Sequence, residues 1–179
     1  MQGEVAVAAL DSERYLALHD RIDALLAAPP VTARARRKAK RELPKSVRRA
    51  YRRVESRMAD ADRQPAGQQR DLALHETRKA AKRLRYATEA VEPTVGKPAA
   101  RLRKRLKAVQ KVLGEHQDTA VSRPVLRQLA AQAHLEGGNG FTYGLMYATE
   151  ATRADQVENN LPRAWKQMRK SKNIAWLEK

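Results

Sequence analysis

Apolar residues recur every three or four positions through most of this 179-residue chain. The clearest series are Val47, Tyr51, Val54 and Met58, and later Leu102, Leu106, Val109 and Leu113. Such spacing gathers apolar side chains on one face of an α-helix, whereas a half-buried strand would alternate apolar and polar residues. Because no strand-like alternation is present, the sequence predicts an all-α fold arranged as an antiparallel helical bundle.

Prolines and glycines set the predicted helix boundaries. Helices are predicted at 11–28, 32–60, 71–91, 98–113, 117–135 and 141–170, with loops at 64–69 and 136–140. Pro44 is expected to kink or divide the second helix, and Pro93 to end the third. Gly114 is expected to separate the fourth helix from the fifth, and Pro162 to break the last. Residues 1–10 are expected to be flexible, the tail at 174–177 to dock, and 1–179 to form one domain.

The composition excludes several classes of protein. The chain has no cysteine, and therefore no disulfide framework, thiol nucleophile or thiolate metal site. No run approaches the roughly 20 apolar residues of a membrane-spanning helix. The first ten residues lack the basic segment of a secretory signal. The sequence therefore predicts a cytoplasmic protein that has no membrane contact and needs no cofactor.

Positive charge is concentrated in two segments of the chain. There are 37 Lys and Arg residues against 20 Asp and Glu, which gives a formal net charge of +17. Residues 31–63 and residues 70–111 each hold 13 basic and 4 acidic side chains. Solvated helix faces usually mix both signs to gain i,i+4 pairs. This one-sided distribution therefore predicts a polyanionic partner.

Two predicted helices carry basic side chains opposite their apolar faces. The first ridge comprises His75, Arg78, Lys79, Lys82, Arg85 and Tyr86, with Arg83 at its edge. The second comprises Lys104, Lys107 and Lys111, with Arg101 nearby. If the helices pack antiparallel, both ridges can border one groove. Arg49, Arg52 and Arg53 on an earlier helix are equally well explained as a solvated face or as further anion contacts.

Two segments carry a family resemblance. The run LHETRKAAKRLRYATE and the later run LKAVQKVLGEHQDTAV resemble the C-terminal half of a CHAD domain, the conserved histidine α-helical domain. The resemblance implies a helical bundle with a basic groove that binds inorganic polyphosphate and has no catalytic activity. The family's histidine-basic motif matches the first ridge, and the basic positions before its second motif match Lys104, Lys107 and Lys111. The second motif itself matches Leu113, Gly114, His116, Gln117 and Asp118.

The chain departs from the family pattern in one respect. A complete CHAD domain resembles two such bundles, each with its own histidine-basic helix, and this sequence has one copy. The resemblance therefore implies either a missing N-terminal half or a second subunit, such as the partner copy of a homodimer, that completes the groove.

The two histidines in these motifs have open roles. His75 is interpreted as a phosphate ligand or as a hydrogen-bonding residue that orients the helix start. His116 is expected near a helix N-terminus, either as an anion contact or in a structural link to Asp118. No pattern of His, Asp and Glu predicts a metal site, and no nucleophile motif or P-loop predicts an enzyme.

The sequence thus predicts a non-catalytic polyphosphate-binding module, with polyphosphate granules as one place where it could reside. Polyphosphate has no bases to stack, and the basic helices carry only Tyr51 and Tyr86 as aromatics. An RNA- or DNA-binding module is the alternative, and a half-domain that assembles with a second bundle is a third.

Overall fold

The computed structural model describes residues 2–178, with side chains from residue 6 onward. Met1, within the segment expected to be flexible, and Lys179 lie outside the described residues. The elements, in chain order, are α1 (Gln2–Leu10), α2 (Glu13–Ala27), a 3-10 turn (Ala33–Arg36), α3 (Ala39–Asp62), α4 (Gln68–Val95), α5 (Lys97–Leu135), α6 (Phe141–Met168), α7 (Ser171–Ile174) and a final 3-10 turn (Ala175–Leu177). Residues 2–178 contain no strand, as the apolar spacing predicts.

The chain forms two compact units, one ending at Lys38 and the other beginning at Ala39. The first unit contains α1, α2 and the first 3-10 turn. Helix α1 occupies the segment that the sequence predicts to be flexible. Ser12 caps α2 because its Oγ accepts a hydrogen bond from the Tyr15 backbone nitrogen at 3.3 Å. No residue of α2 is buried, and Leu18, Ile22, Leu25 and Leu26, spaced as one apolar helix face, are exposed.

The second unit is an antiparallel helical bundle. Helix α3 packs on α4, α4 on α5, and α5 on α6. Helix α7 contacts α5, and the last 3-10 turn contacts α3. The predicted apolar series form its core, where Val47, Val54, Leu102 and Leu106 are all fully buried. The tail predicted to dock does so, with Leu177 buried.

Several predicted helix breaks are absent. Pro93 and Pro162 lie inside continuous helices, and Pro44 does not divide α3. Gly114 likewise lies within α5, which runs unbroken over 39 residues. A proline removes one backbone donor and a glycine weakens a helix by about 1 kcal/mol. The buried faces on either side of these residues outweigh those local costs.

A single residue, Gly96, turns the chain from α4 into α5. Its φ of +73° lies in the left-handed region, which glycine adopts without a steric penalty. The Gly96 backbone nitrogen donates to the Glu92 carbonyl at 2.8 Å and closes the last turn of α4. This tight reversal brings the two predicted basic ridges onto adjacent antiparallel helices.

No helix among residues 2–178 is long and apolar enough to cross a membrane.

Candidate functional site

The two predicted basic ridges meet in a cleft between α4 and α5. Its volume is about 320 Å³, and its lining residues are Arg78, Lys82, Arg85, Lys107, Gln110 and Lys111. We call it the basic cleft. The α4 residues are spaced by four and three positions, which places them on one face of that helix. The α5 residues are spaced by three positions and by one. In total, five cations and one amide line the cleft, and no carboxylate does.

Cross-helix contacts set the register of the basic cleft. His75 of α4 makes a hydrogen bond with Gln117 of α5. One turn further along α4, the Arg78 guanidinium lies beside Gly114, where an added Cβ would be 3.9 Å from Arg78 Nε. At the far end, Arg103 Nε donates to Glu92 Oε2 at 2.6 Å. The contacts advance in opposite directions along the two helices, as antiparallel packing requires.

The cations of the basic cleft differ in how they are balanced. Arg85 pairs with Glu89 at 2.6 Å, and Lys111 lies 3.9 Å from Glu115. Arg78, Lys82 and Lys107 have no ion pair among the side chains at 6–178. Three like charges therefore line one cleft without compensation, an arrangement that an anion in the cleft would stabilise.

Two donors in the wall of the basic cleft lack partners. Arg85 Nε and Gln110 Nε2 are buried and make no hydrogen bond to any described residue. A buried donor without a partner lowers the stability of the fold by about 1–3 kcal/mol. An acceptor in the cleft would remove this penalty if the two side chains turned toward it. Gln110 is not among the residues predicted from the sequence, although its position three residues after Lys107 places it on the same helix face.

The other predicted residues of the first ridge lie beside the basic cleft. Lys79 forms a hydrogen-bonded ion pair with Glu76. The hydrogen bond from Lys79 lowers the pKa of the Glu76 carboxyl. Arg83 is exposed. Tyr86 is 48% exposed, and its ring centroid lies 4.6 Å from the Arg85 guanidinium and 5.9 Å from Lys82 Nζ. Tyr86 therefore contributes to the site through two of its cations.

The basic surface of α5 continues past the basic cleft. Lys104 and Arg101 line a neighbouring cleft of about 530 Å³, together with Lys97, Arg103 and Lys107. Lys107 belongs to both clefts, so the two form one continuous cationic track. Among these cations, Arg103 is paired, since its Nε donates to Glu92 Oε2. This hydrogen bond raises the pKa of the Arg103 guanidinium.

His75 lies one turn beyond the basic cleft. It lines a larger cleft of about 740 Å³ that also includes Asp71, Arg123, Arg127 and Tyr147. Its hydrogen bond to Gln117 of α5 is a contact between two helices, about two turns after the start of α4 at Gln68, and its role as a phosphate ligand stays a prediction.

His116 is not at a helix N-terminus, contrary to the prediction, because α5 continues through it. Its side chain is 3% exposed, and its Nε2 lies 3.3 Å from Asp71 Oδ1 and 3.2 Å from Glu158 Oε1. The predicted link to Asp118 is absent, and direct contact with a large polyanion does not fit this burial. His116 instead joins α4, α5 and α6 in the interior.

The atoms of Asp71, His116 and Glu158 lie within 4.8 Å of one another, a set that could hold a metal ion. The carboxylates already have cationic partners, since Arg123 lies 3.1 Å from Asp71 and Arg70 lies 2.7 Å from Glu158. These charges balance without a metal, and the cluster is best described as an ion-pair network that ties the helices together.

The three arginines predicted on α3 are not part of the basic cleft. Arg49 and Arg53 are exposed. Arg52 lines a cavity of about 250 Å³ with Arg48, Tyr51 and Glu55. Burial, followed by the nearby Glu55 carboxylate, raises the pKa of Tyr51 to about 12.

Comparison with known proteins agrees with the family resemblance. The model of the CHAD domain matches residues 2–127. The chain is 40% identical over 169 residues to two Mycobacterium tuberculosis proteins, "Uncharacterized protein MT2285" of strain CDC 1551 / Oshkosh and "Uncharacterized protein Rv2226" of strain ATCC 25618 / H37Rv. Each alignment covers 91% of this chain and 30% of the relative's length.

No solved structure matches the chain significantly. The family match nevertheless covers well over half of the sequence, including α4 and the part of α5 that together form the basic cleft. The chain belongs to the CHAD domain family.

Proposed function

We propose that this protein binds inorganic polyphosphate in the basic cleft and does not cleave it. The observation that carries the proposal is the lining of the cleft by five cations from two helices with no carboxylate among them. The CHAD family, to which the chain belongs, is associated with polyphosphate binding in general. The chain aligns with only 30% of the length of its two mycobacterial relatives. The proposal therefore concerns the function of this chain and not that of the longer proteins.

The chemistry of the ligand matches the arrangement of the cations. Polyphosphate is a flexible chain of like charges with no base to recognise, so a track of Lys and Arg is sufficient. Arg78, Lys82 and Arg85 follow one another along α4 at intervals of about 6 Å and 4.5 Å, from the 1.5 Å rise per residue. Arginine can bind two phosphate oxygens at once, whereas lysine acts as a mobile point charge.

Charge reversal at two cleft positions tests the proposal. Lys82→Glu with Arg85→Glu should abolish binding of long-chain polyphosphate, because two attractive contacts become repulsive. Arg163→Glu with Lys166→Glu is the matched control, since both residues are exposed on α6 and outside the basic cleft. Circular dichroism confirms that each variant is folded. Normal binding by the first variant would show that the ligand uses another surface.

A second measurement tests the non-catalytic part of the proposal. The natural chain should release no orthophosphate from polyphosphate during prolonged incubation with or without Mg²⁺. Steady release that the Lys82→Glu/Arg85→Glu variant lacks would make the protein an enzyme. We also propose that the chain acts in the cytoplasm and accumulates at polyphosphate granules, where its ligand is concentrated; a fluorescently tagged chain would show this directly.

Assembly with a second bundle is a further candidate, favoured by the exposed apolar residues of the α5–α6 hairpin. Leu135, Phe141 and Leu145 are 86%, 72% and 61% exposed, and a second copy or a missing half-domain could cover them. Sedimentation equilibrium would show a dimer that Phe141→Ser with Leu145→Ser dissociates. A monomer at all concentrations would remove the homodimer as a candidate.

A further inference from the structure

A second cation-lined cleft lies where the start of α3 meets the end of α4 and the last 3-10 turn. Its volume is about 400 Å³, and its lining comprises Lys40, Arg41, Pro44, Lys45, Arg48, Val95 and Trp176. We call it the tryptophan cleft. It differs from the basic cleft in one chemical respect: an indole and two smaller apolar groups stand beside its cations, whereas the basic cleft has no aromatic lining.

Hydrogen bonds hold Trp176 in place. Its Nε1 donates to the Asn173 carbonyl at 2.8 Å. Asn173 is itself buried, and its Nδ2 donates to the Gln167 carbonyl at 2.9 Å at the end of α6. Arg48 of α3 donates from its Nε to the Leu177 carbonyl and so ties this turn to α3. The indole is therefore positioned before any ligand arrives, which lowers the entropic cost of binding.

Four cations line the same cleft as this ring: Lys40, Arg41, Lys45 and Arg48. Lys40 and Arg41 are exposed, and neither has an ion pair within the described part of the chain. Lys45 pairs with Glu42 at 2.7 Å, and no carboxylate lines the cleft. Lys and Arg side chains beside a fixed aromatic ring are the two components with which proteins bind phosphates and stack bases.

We propose that the tryptophan cleft binds a nucleotide unit, with its phosphates on Lys40, Arg41 and Lys45 and its base against Trp176. The cleft volume lies in the range of about 300–1,000 Å³ that is typical of small-molecule sites. This site is separate from the basic cleft, and the two share no lining residue. The inference does not depend on polyphosphate binding.

Tryptophan fluorescence provides the test. The chain has two tryptophans, so a Trp165→Phe variant reports on Trp176 alone. ATP should quench this signal and bind at least about fivefold more tightly than tripolyphosphate, the factor expected from one stacked base. Lys40→Glu with Arg41→Glu should weaken ATP binding more than tenfold, whereas Lys82→Glu with Arg85→Glu should change it less than twofold. Calorimetry on the natural chain and on Trp176→Leu gives the same comparison if Trp165→Phe does not fold.

Three results would overturn the proposal: equal affinity for ATP and tripolyphosphate, no quenching at saturation, or loss of ATP binding in the Lys82→Glu/Arg85→Glu variant alone. A decamer of adenylate identifies the source of the nucleotide. Much tighter binding of the decamer than of ATP would place the unit in a single strand, and similar affinity would indicate a free nucleotide; either result supports the site. Because polyphosphate binding is measured separately on the same variants, failure here leaves the proposal for the basic cleft intact.

Discussion

Removing two unpaired cations from the basic cleft should change the salt dependence of polyphosphate binding by a calculable amount. Lys82 and Lys107 are suited to this test because both are exposed and neither forms an ion pair with the described residues. Their substitution by alanine should therefore remove charge without leaving an uncompensated partner or a cavity in the core.

The magnitude follows from counterion release. For a flexible single-stranded polyanion the slope of log K against log salt is about −0.7 for each neutralised charge. Five cations line the basic cleft, so the natural chain should give a slope of about −3.5, equivalent to roughly a 100-fold loss of affinity between 50 and 200 mM salt. Lys82→Ala with Lys107→Ala leaves three cations and should give a slope of about −2, with affinity about tenfold lower near 150 mM salt.

The assay is a fluorescence anisotropy titration of end-labelled polyphosphate at five or more salt concentrations. Arg163→Ala with Lys166→Ala removes the same charge from α6 and serves as the control. Our account predicts a slope like that of the natural chain for this control. Equal changes in slope for the two double variants would refute the reasoning, since the net charge and not the cleft would then determine binding.

Three further predictions concern stability. Leu84→Ala should lower the free energy of unfolding by about 2–5 kcal/mol, because Leu84 is fully buried; a loss below 1 kcal/mol in urea denaturation would contradict the packing of α4. His116→Ala should lower it by about 1–3 kcal/mol, because the interior contacts to Asp71 and Glu158 are lost; unchanged stability would show that these contacts are unimportant. The pKa of Tyr51 is raised from 10.0 to about 12 in the folded chain, so the folded state favours the neutral phenol. The contribution of neutral Tyr51 to the free energy of unfolding is therefore complete below pH 10 and is lost as the pH rises toward 12. Tyr51→Phe should therefore lose less stability than the natural chain across that interval, and identical alkaline denaturation profiles would exclude this role.

The sequence predicts the fold class and most of the core because apolar spacing depends only on helix geometry. Val47, Val54, Leu102 and Leu106 follow that rule and are buried. The helix breaks were not predictable in the same way. Whether a helix continues through Gly114 depends on the tertiary contacts around it, and those contacts outweigh a local cost of about 1 kcal/mol.

The sequence predicts part of the basic cleft. Arg78, Lys82 and Arg85 share a face by their spacing, and antiparallel packing brings them opposite Lys107 and Lys111.

Contacts distant in sequence determine the remaining features of the site. The buried His116 contacts Asp71 and Glu158, which lie 45 and 42 positions away in the chain. Trp176 reaches the start of α3 only because the chain turns back after α6. Neither contact leaves a periodic signal in the sequence.

The most direct test of the central claim is a competition between polyphosphate and RNA. Labelled long-chain polyphosphate is bound to the natural chain at about 150 mM salt, and single-stranded RNA is added at matched phosphate concentration. Our account predicts that polyphosphate stays bound, because the cleft is lined by cations and one amide, whereas the adjacent Tyr86 lies outside the lining and its ring already contacts Arg85 and Lys82. Equal displacement by RNA, or weak binding of polyphosphate at the outset, would show that the cleft is a general anion-binding surface and would contradict the account.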